Sequence, residues 1–313
     1  MHETVTGHSP LDPGGAAARP WTAPLQSDQA AALRFYIQAV AAYEQAVAAA
    51  SAGHTEPDLA PLQRTVQRAV DTVSDDSSLL LGLTTIKGLK VSPGRTVRTH
   101  GVNTMILAVT LAHAAGLSRS GQSRVGLAAL LHDLGRDTGL DSAPHGIATA
   151  NALLRFRTLE EVALVAVTAL AHDLSVAPAG GPEDAAAAMV RIADAYDTLT
   201  ARDGLDGSPD LVLAFLLRSG AARFDAALVR CFARLLGTYP PGTTVQLEDG
   251  SAGVVVRPAA AGTPDCPLVR VCRTAGGKPV AGEVWARSGS HVVRSVDAAL
   301  LGIDRVRVFL PQP

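Results

Sequence analysis

Apolar residues recur at helical spacing over most of this chain and change to alternation only near its end. From Asp28 to about Ser51, Leu33, Tyr36, Ile37, Val40, Tyr43 and Val47 return at intervals of three and four among alanines, which predicts one long amphipathic helix. A second helix is expected over about 59–74. The first reading of this pair is a packed structural hairpin, although such helices also serve dimerisation or sensing, so a homodimer through them is a candidate assembly. From Leu80 to about Leu236 helical patterns follow one another, broken at Gly116, between Gly139 and Pro144, and between Ala177 and Pro182. After 237-GTYPPGT-243 the texture changes. In 244-TVQLEDGSAGVVV-256, β-branched residues flank an Asp-Gly pair, the short-range signature of a hairpin. Further strands are expected near 268–273, 280–286 and 305–310. The chain divides accordingly into a flexible tail (1–26, with Gly14, Gly15, Pro10, Pro13, Pro20 and Pro24), an N-terminal helical segment (27–79), a helical domain (80–236) and a small β-rich module (237–313).

Composition narrows the function classes. Hydrophobic residues make up 47% of the 313 and charged ones 18%, which fits an Ala-rich globular protein and not a disordered one. The net charge of -2 gives no general attraction to polyanions, and aromatics, at 4%, are too few for a platform that stacks successive bases. No nucleic-acid polymer is therefore expected as a partner, and a bound nucleotide would be held mainly through its phosphates. The longest apolar runs, such as 211-LVLAFLL-217, fall far short of a membrane span, so no membrane is expected either. Cys231, Cys266 and Cys272 are an odd set without metal-knuckle spacing, and the N-terminus lacks the charged start and apolar core of a secretory signal. The expected compartment is the cytoplasm.

The stretch 125-VGLAALLHDLGRD-137 runs apolar and then places His132 beside Asp133. A histidine on a helix is more often a core or surface group than a ligand, but these two have company. His100 opens a strongly apolar helix, and Asp194 and Asp197 interrupt 189-MVRIADAYDTL-199 on one face. Carboxylates on an apolar helix are costly unless paired, hydrogen-bonded or bound to metal. Imidazole and carboxylate together make a mixed nitrogen and oxygen site that suits iron, manganese or zinc better than calcium or magnesium. Asp197 is a candidate for orienting a ligand His or the Asp194 carboxylate, with a solvated helix residue as the other reading; His113 is read as structural.

The ordered set resembles a known family. A lone His opening a helix, an HD pair, a further His, a later His, and the Asp of 192-IADAYDTLT-200 are similar to the HD superfamily of metal-dependent phosphohydrolases, and more narrowly to its HD-GYP class, from about Leu80 to Val256. The resemblance implies a mainly α fold: a helical HD-domain bundle preceded by N-terminal helices and followed by a small β-rich module. It implies a first metal position formed by His100, His132, Asp133 and Asp194. It assigns a second to Asp133, His145 and His172, and so one to two divalent ions per chain, iron or manganese first. Arg136 stands where many members have a lysine and is assigned to the substrate phosphate. Asp173 replaces the glutamate after the His-His pair, as outer ligand or proton carrier.

The sequence also departs from that class. Ala171 replaces the first His of the pair, Thr96 stands where a glutamate often precedes the first ligand, Arg202 comes one position early, and 174-LSVAPAGGPED-184 contains no G-Y-P. These changes touch the second metal and the recognition of cyclic di-GMP and leave the first position complete. The resemblance therefore implies a phosphodiesterase on a cyclic dinucleotide or related nucleotide in bacterial signalling. The alternatives are a catalytically degenerate module that binds a nucleotide or a partner protein, and a phosphomonoesterase acting on mononucleotides.

Overall fold

In the computed structural model, which describes residues 25–54, 58–87, 89–92, 95–138, 145–156, 165–166, 168, 171, 185–202, 204, 207–259, 263–286 and 290–309, the N-terminal apolar repeat is a single helix, α1 (Leu25–Ser51). It lays Tyr36, Ala39, Val40, Tyr43, Ala46 and Val47 into the core and leaves Ile37 exposed. Each valine so buried contributes about 1.5–3 kcal/mol. Beside it, α2 (Ala60–Asp75) buries Leu62, Val66, Ala69, Val70 and Val73 at the same spacing. The short α3 (Ser78–Leu83) leads into a hairpin of β1 (Leu89–Ser92) and β2 (Arg95–Val97) that the helical pattern did not announce.

The helices continue with α4 (His100–Ala114), α5 (Arg119–Leu131), α6 (Leu134–Asp137), α7 (His145–Leu153), α8 (Ala185–Thr200), α9 (Pro209–Arg223) and α10 (Ala226–Leu236). Every residue of α4 from Gly101 through Ala112 is buried, so this helix is enclosed by neighbours on all sides. Asp225 caps α10 by accepting the backbone N–H groups of Ala227 and Leu228 at 2.7 and 2.9 Å.

Beyond α10 lies an antiparallel sheet of β3 (Thr244–Leu247), β4 (Ala252–Arg257), β5 (Leu268–Arg273), β6 (Pro279–Trp285) and β7 (Val292–Ser295), ordered β6-β5-β4-β3-β7. The Gly-Val-Val-Val run of β4 is apolar without alternation because both faces of the strand are covered. Val254 and Val256 join the helical core, whereas Val255 packs with Val245, Leu247, Val269 and Val292 on the other side. The helical core runs without interruption from Ala32 of α1 to Phe309, drawing in α1, α2, α4, α5 and one face of β4.

The expected strand at 305–310 is instead a helix, α11 (Arg305–Phe309). Alternating Arg and Val suggested a strand, but Asp304 accepts the N–H groups of Val306 and Arg307 at 3.1 and 3.4 Å, and the adjacent Val308 and Phe309 are both buried. The capped N–H groups start a helical turn there. Residues 1–24 of the expected tail lie outside the described residues, and Leu25 and Gln26 already belong to α1.

Candidate metal centre

The helical hairpin of α4 and α5 builds the site by its lengths. At about 1.5 Å per residue the two helices span ~22 and ~20 Å, so after the turn at Gly116 (φ 79°) the end of α5 comes level with the start of α4. Ser118 sets that start of α5 by accepting the N–H of Gly121 at 3.2 Å. His100 and His132 consequently meet, their rings 5.1 Å apart at 66°. Gly101 permits the approach, since a Cβ there would lie 2.7 Å from the carbonyl oxygen of Leu130. Then α8 packs across both helices and carries Asp194 to the same place.

His100 Nε2 lies 3.1 Å from Asp194 Oδ1 and 3.8 Å from Asp133 Oδ2. His132 Nε2 lies 3.8 Å from Asp133 Oδ2 and 3.9 Å from Asp194 Oδ1. One donor atom each from His100, His132 and Asp194 fall within 4.8 Å of one another. Two atoms bound to one ion at about 2.1 Å are separated by ~3.0 Å at an octahedral angle and ~3.4 Å at a tetrahedral one. The observed separations run from 3.1 to 3.9 Å, the longest about half an ångström above the tetrahedral value, so a shift of about that size would seat an ion. Two imidazole nitrogens with two carboxylates are the donors that iron, manganese or zinc prefers. The residues present fit such a cation.

Each imidazole is aimed by its other nitrogen. His132 Nδ1 lies 2.7 Å from the carbonyl oxygen of Ala129, to which it can only donate, and this leaves Nε2 as the lone-pair nitrogen facing the carboxylates. His100 Nδ1 is held likewise, donating to Asp197 Oδ2 at 2.8 Å. Asp197 is only 2% exposed and its other oxygen is ion-paired with Lys87. Thr198 donates its hydroxyl to Asp194 Oδ1 at 3.2 Å. Burial works against a charge on His100, but its hydrogen bonds to Asp194 and Asp197 outweigh that and push its pKa up to about 10. Without a cation, a proton on His100 joins Lys87 and Arg136 in offsetting the acids.

The N-terminal helix braces both ends of this arrangement. Tyr36 donates to Asn103 Oδ1 at 2.7 Å, and Asn103 Nδ2 donates to the carbonyls of Thr84 and Ile86 at 3.2 and 3.0 Å, fixing the segment before α4. Tyr43 donates to Asp137 Oδ2 at 2.7 Å, while Arg98 reaches Glu44 and the carbonyl of Asp137. The residues on either side of the two ligand-bearing helix ends are thus tied to α1.

Residues 97–199 match the HD domain family. HD domains are generally metal-dependent phosphohydrolases. The matched stretch encloses His100, His132, Asp133 and Asp194, and it leaves α1 to α3 and everything after α8 outside. No curated protein and no solved structure matches the chain.

Within the matched stretch the structure brings His100, His132, Asp133 and Asp194 together. Arg136 lies at the rim, its side chain 65% exposed and its Nη1 3.4 Å from Asp133 Oδ2. His172 and Asp173 lie outside the described residues, and His145 is placed only by its backbone, as the first residue of α7. Asp197 is the buried carboxylate of the pair on α8, not a solvated one, and it holds His100. Lys87 was not foreseen. Its partner stands 110 positions away, and a lone lysine between apolar residues carries no signal of such a pairing.

Proposed function

We propose that the chain hydrolyses a phosphodiester bond of a nucleotide, with a cyclic dinucleotide such as cyclic di-GMP as the candidate substrate, in bacterial signalling. The observation that supports it is the convergence of His100, His132 and Asp194 on a place where they could hold one ion, with Asp133 3.8 Å from both imidazoles. A divalent cation held there supplies Lewis acidity, making water a better nucleophile near neutral pH and offsetting charge on a phosphoryl oxygen. The protein's own residues do the rest. Asp197 and the Ala129 carbonyl keep both imidazoles in the tautomer that presents Nε2. Asp133, 5% exposed beside both rings, is placed to hold the proton lost by the attacking water. Arg136, exposed at the rim, offers a planar fork to two phosphate oxygens. In the reaction, water oxygen bonds to phosphorus, the bond to the ester oxygen breaks, and that oxygen takes up a proton.

A second reading, a catalytically degenerate module that binds a nucleotide or partner protein, rests on Ala171, Thr96 and the absent G-Y-P. An assay separates the two. Protein loaded with manganese or with ferrous iron is given cyclic di-GMP and a linear dinucleotide; metal-dependent cleavage, abolished by Asp133→Asn, is expected. Loaded protein that binds either nucleotide without cleaving it would favour the degenerate module.

A further inference from the structure

The two chain segments that bring His100 and the His132-Asp133 pair together do so at helix ends, where part of the helical hydrogen-bond ladder is missing. His100 is the first residue of α4, and Thr99 before it spends its hydroxyl on the carbonyl of Ile86 at 3.1 Å. Asp133 stands between α5 and α6 with φ -105° and ψ 12°, off the helical values. The distance between these ends is therefore left to contacts from elsewhere. It is also the distance an ion depends on. His100 Nε2 lies 3.8 Å from Asp133 Oδ2, and metal–ligand bonds tolerate only about 0.2 Å.

Tyr43 of α1 lies between the two ends and is fully buried. Its ring rests against Gly101, the residue after His100, where an added Cβ would come 3.2 Å from the ring carbon Cζ. Its hydroxyl donates to Asp137 Oδ2 at 2.7 Å, one turn past Asp133. Arg98, two residues before His100, closes the circuit: its Nε lies 3.4 Å from Asp137 Oδ1, and its Nη2 donates to the Asp137 carbonyl at 3.1 Å. Glu44, beside Tyr43, accepts the backbone N–H of Arg98 at 2.7 Å and pairs with its Nη1 at 3.4 Å. These contacts form a clamp that runs from the His100 end to the Asp133 end and back through α1. Its parts are unequal. The Arg98 side chain is 42% exposed, and exposed ion pairs contribute little, whereas a buried tyrosine hydroxyl needs its partner. We propose that Tyr43, acting through Gly101 and Asp137 and seconded by Arg98, is a positioning residue of the metal centre that sets the distance from His100 to His132 and Asp133. The N-terminal helix, outside the matched stretch, is then part of the ion's support. This rests on the metal centre and not on the choice of substrate.

The test reads ion binding, not turnover, in the full chain. Manganese affinity and the visible absorption of bound cobalt are measured for native protein, Tyr43→Phe, Asp137→Ala and the double variant, each where circular dichroism shows it folded. Tyr43→Phe keeps the ring against Gly101 and removes only the hydroxyl. It should weaken manganese binding about tenfold, the lower end of what losing a partner outside the ligand set costs, and shift the cobalt bands. Asp137→Ala should do at least as much, and adding Tyr43→Phe to it should change little more, because the hydroxyl acts through that carboxylate. Val245→Ala, in the separate core of the β-rich module, lowers stability without touching the clamp and should leave both readings native. Native affinity and spectrum in Tyr43→Phe and Asp137→Ala overturn the proposal, as does an equal loss in Val245→Ala. A native chain that binds neither ion removes the centre and the clamp's role with it, whereas ion binding without phosphodiester cleavage contradicts only the reaction proposed above.

Discussion

Replacing Asp197 by asparagine isolates the least conspicuous part of the metal centre, the carboxylate that aims His100. The amide oxygen can still accept the N–H of His100 Nδ1, which now sits 2.8 Å from Asp197 Oδ2, but the negative charge is lost. Two consequences follow. The imidazole becomes a poorer donor, and losing such a partner typically lowers metal affinity 10–100-fold, or about 1.4–2.7 kcal/mol. Lys87, whose side chain is 23% exposed, loses its counter-charge, and breaking a buried pair by removing one member costs about 3–5 kcal/mol. The retained amide hydrogen bond places the expected loss of stability at the lower end, about 3 kcal/mol. Lys87→Met is the counterpart: it keeps the carboxylate on His100, so stability should fall while metal affinity stays at the native level or rises. Manganese titrations and urea melts of both variants measure these effects. Equal metal affinity in Asp197→Asn and native protein would refute the claim that Asp197 acts on the ion through His100, and so would a matching loss of affinity in Lys87→Met.

Other outcomes can be stated as directly. Gly135→Ala puts a Cβ 2.2 Å from the backbone nitrogen of Thr149 and 2.4 Å from the carbonyl carbon of Ala148, so α6 and α7 must separate. A loss of roughly 1–3 kcal/mol or more is expected in a thermal melt, and an unchanged midpoint would contradict this packing. His100, with a pKa raised to about 10 in the fold against 6.5 for the free side chain, takes up a proton on folding. The stability it contributes is complete below pH 6.5 and is lost as the pH rises toward 10. In metal-free protein the urea midpoint should therefore fall across that range, and His100→Gln should flatten the slope; a slope that survives the substitution has another source. Arg136→Ala should leave manganese affinity unchanged and reduce turnover or nucleotide affinity, since the side chain sits at the rim and not among the ligands. Loss of metal from that variant would move Arg136 into the ion's support.

How much of this was legible in the sequence depended on range. Helical periodicity identified α1 and α2, and the Asp-Gly pair marked the β3–β4 turn, because those signals are local. His100, His132, Asp133 and Asp194 each interrupt or end an apolar run, where an ionisable group needs a reason, and it was the resemblance to the HD superfamily that joined them into one metal position. The same logic flagged Asp197 but could not choose between a solvated and a buried role, since that is decided by Lys87 and by the packing of α8 against α4. The ties from Tyr36 to Asn103 and from Tyr43 to Asp137 bridge 67 and 94 positions and leave no periodic trace. The α11 segment was misread because alternating Arg and Val imitates a strand, whereas the cap from Asp304 starts a helix.

The central claim is that imidazoles and carboxylates from α4, the end of α5 and α8 share one ion. Elemental analysis of protein purified without chelator, run beside His132→Ala, addresses it most directly. At least one equivalent of iron, manganese or zinc per native chain is expected, falling to background in the variant. Native protein free of transition metal even after incubation with manganese and ferrous iron, or metal content that His132→Ala leaves intact, would contradict it.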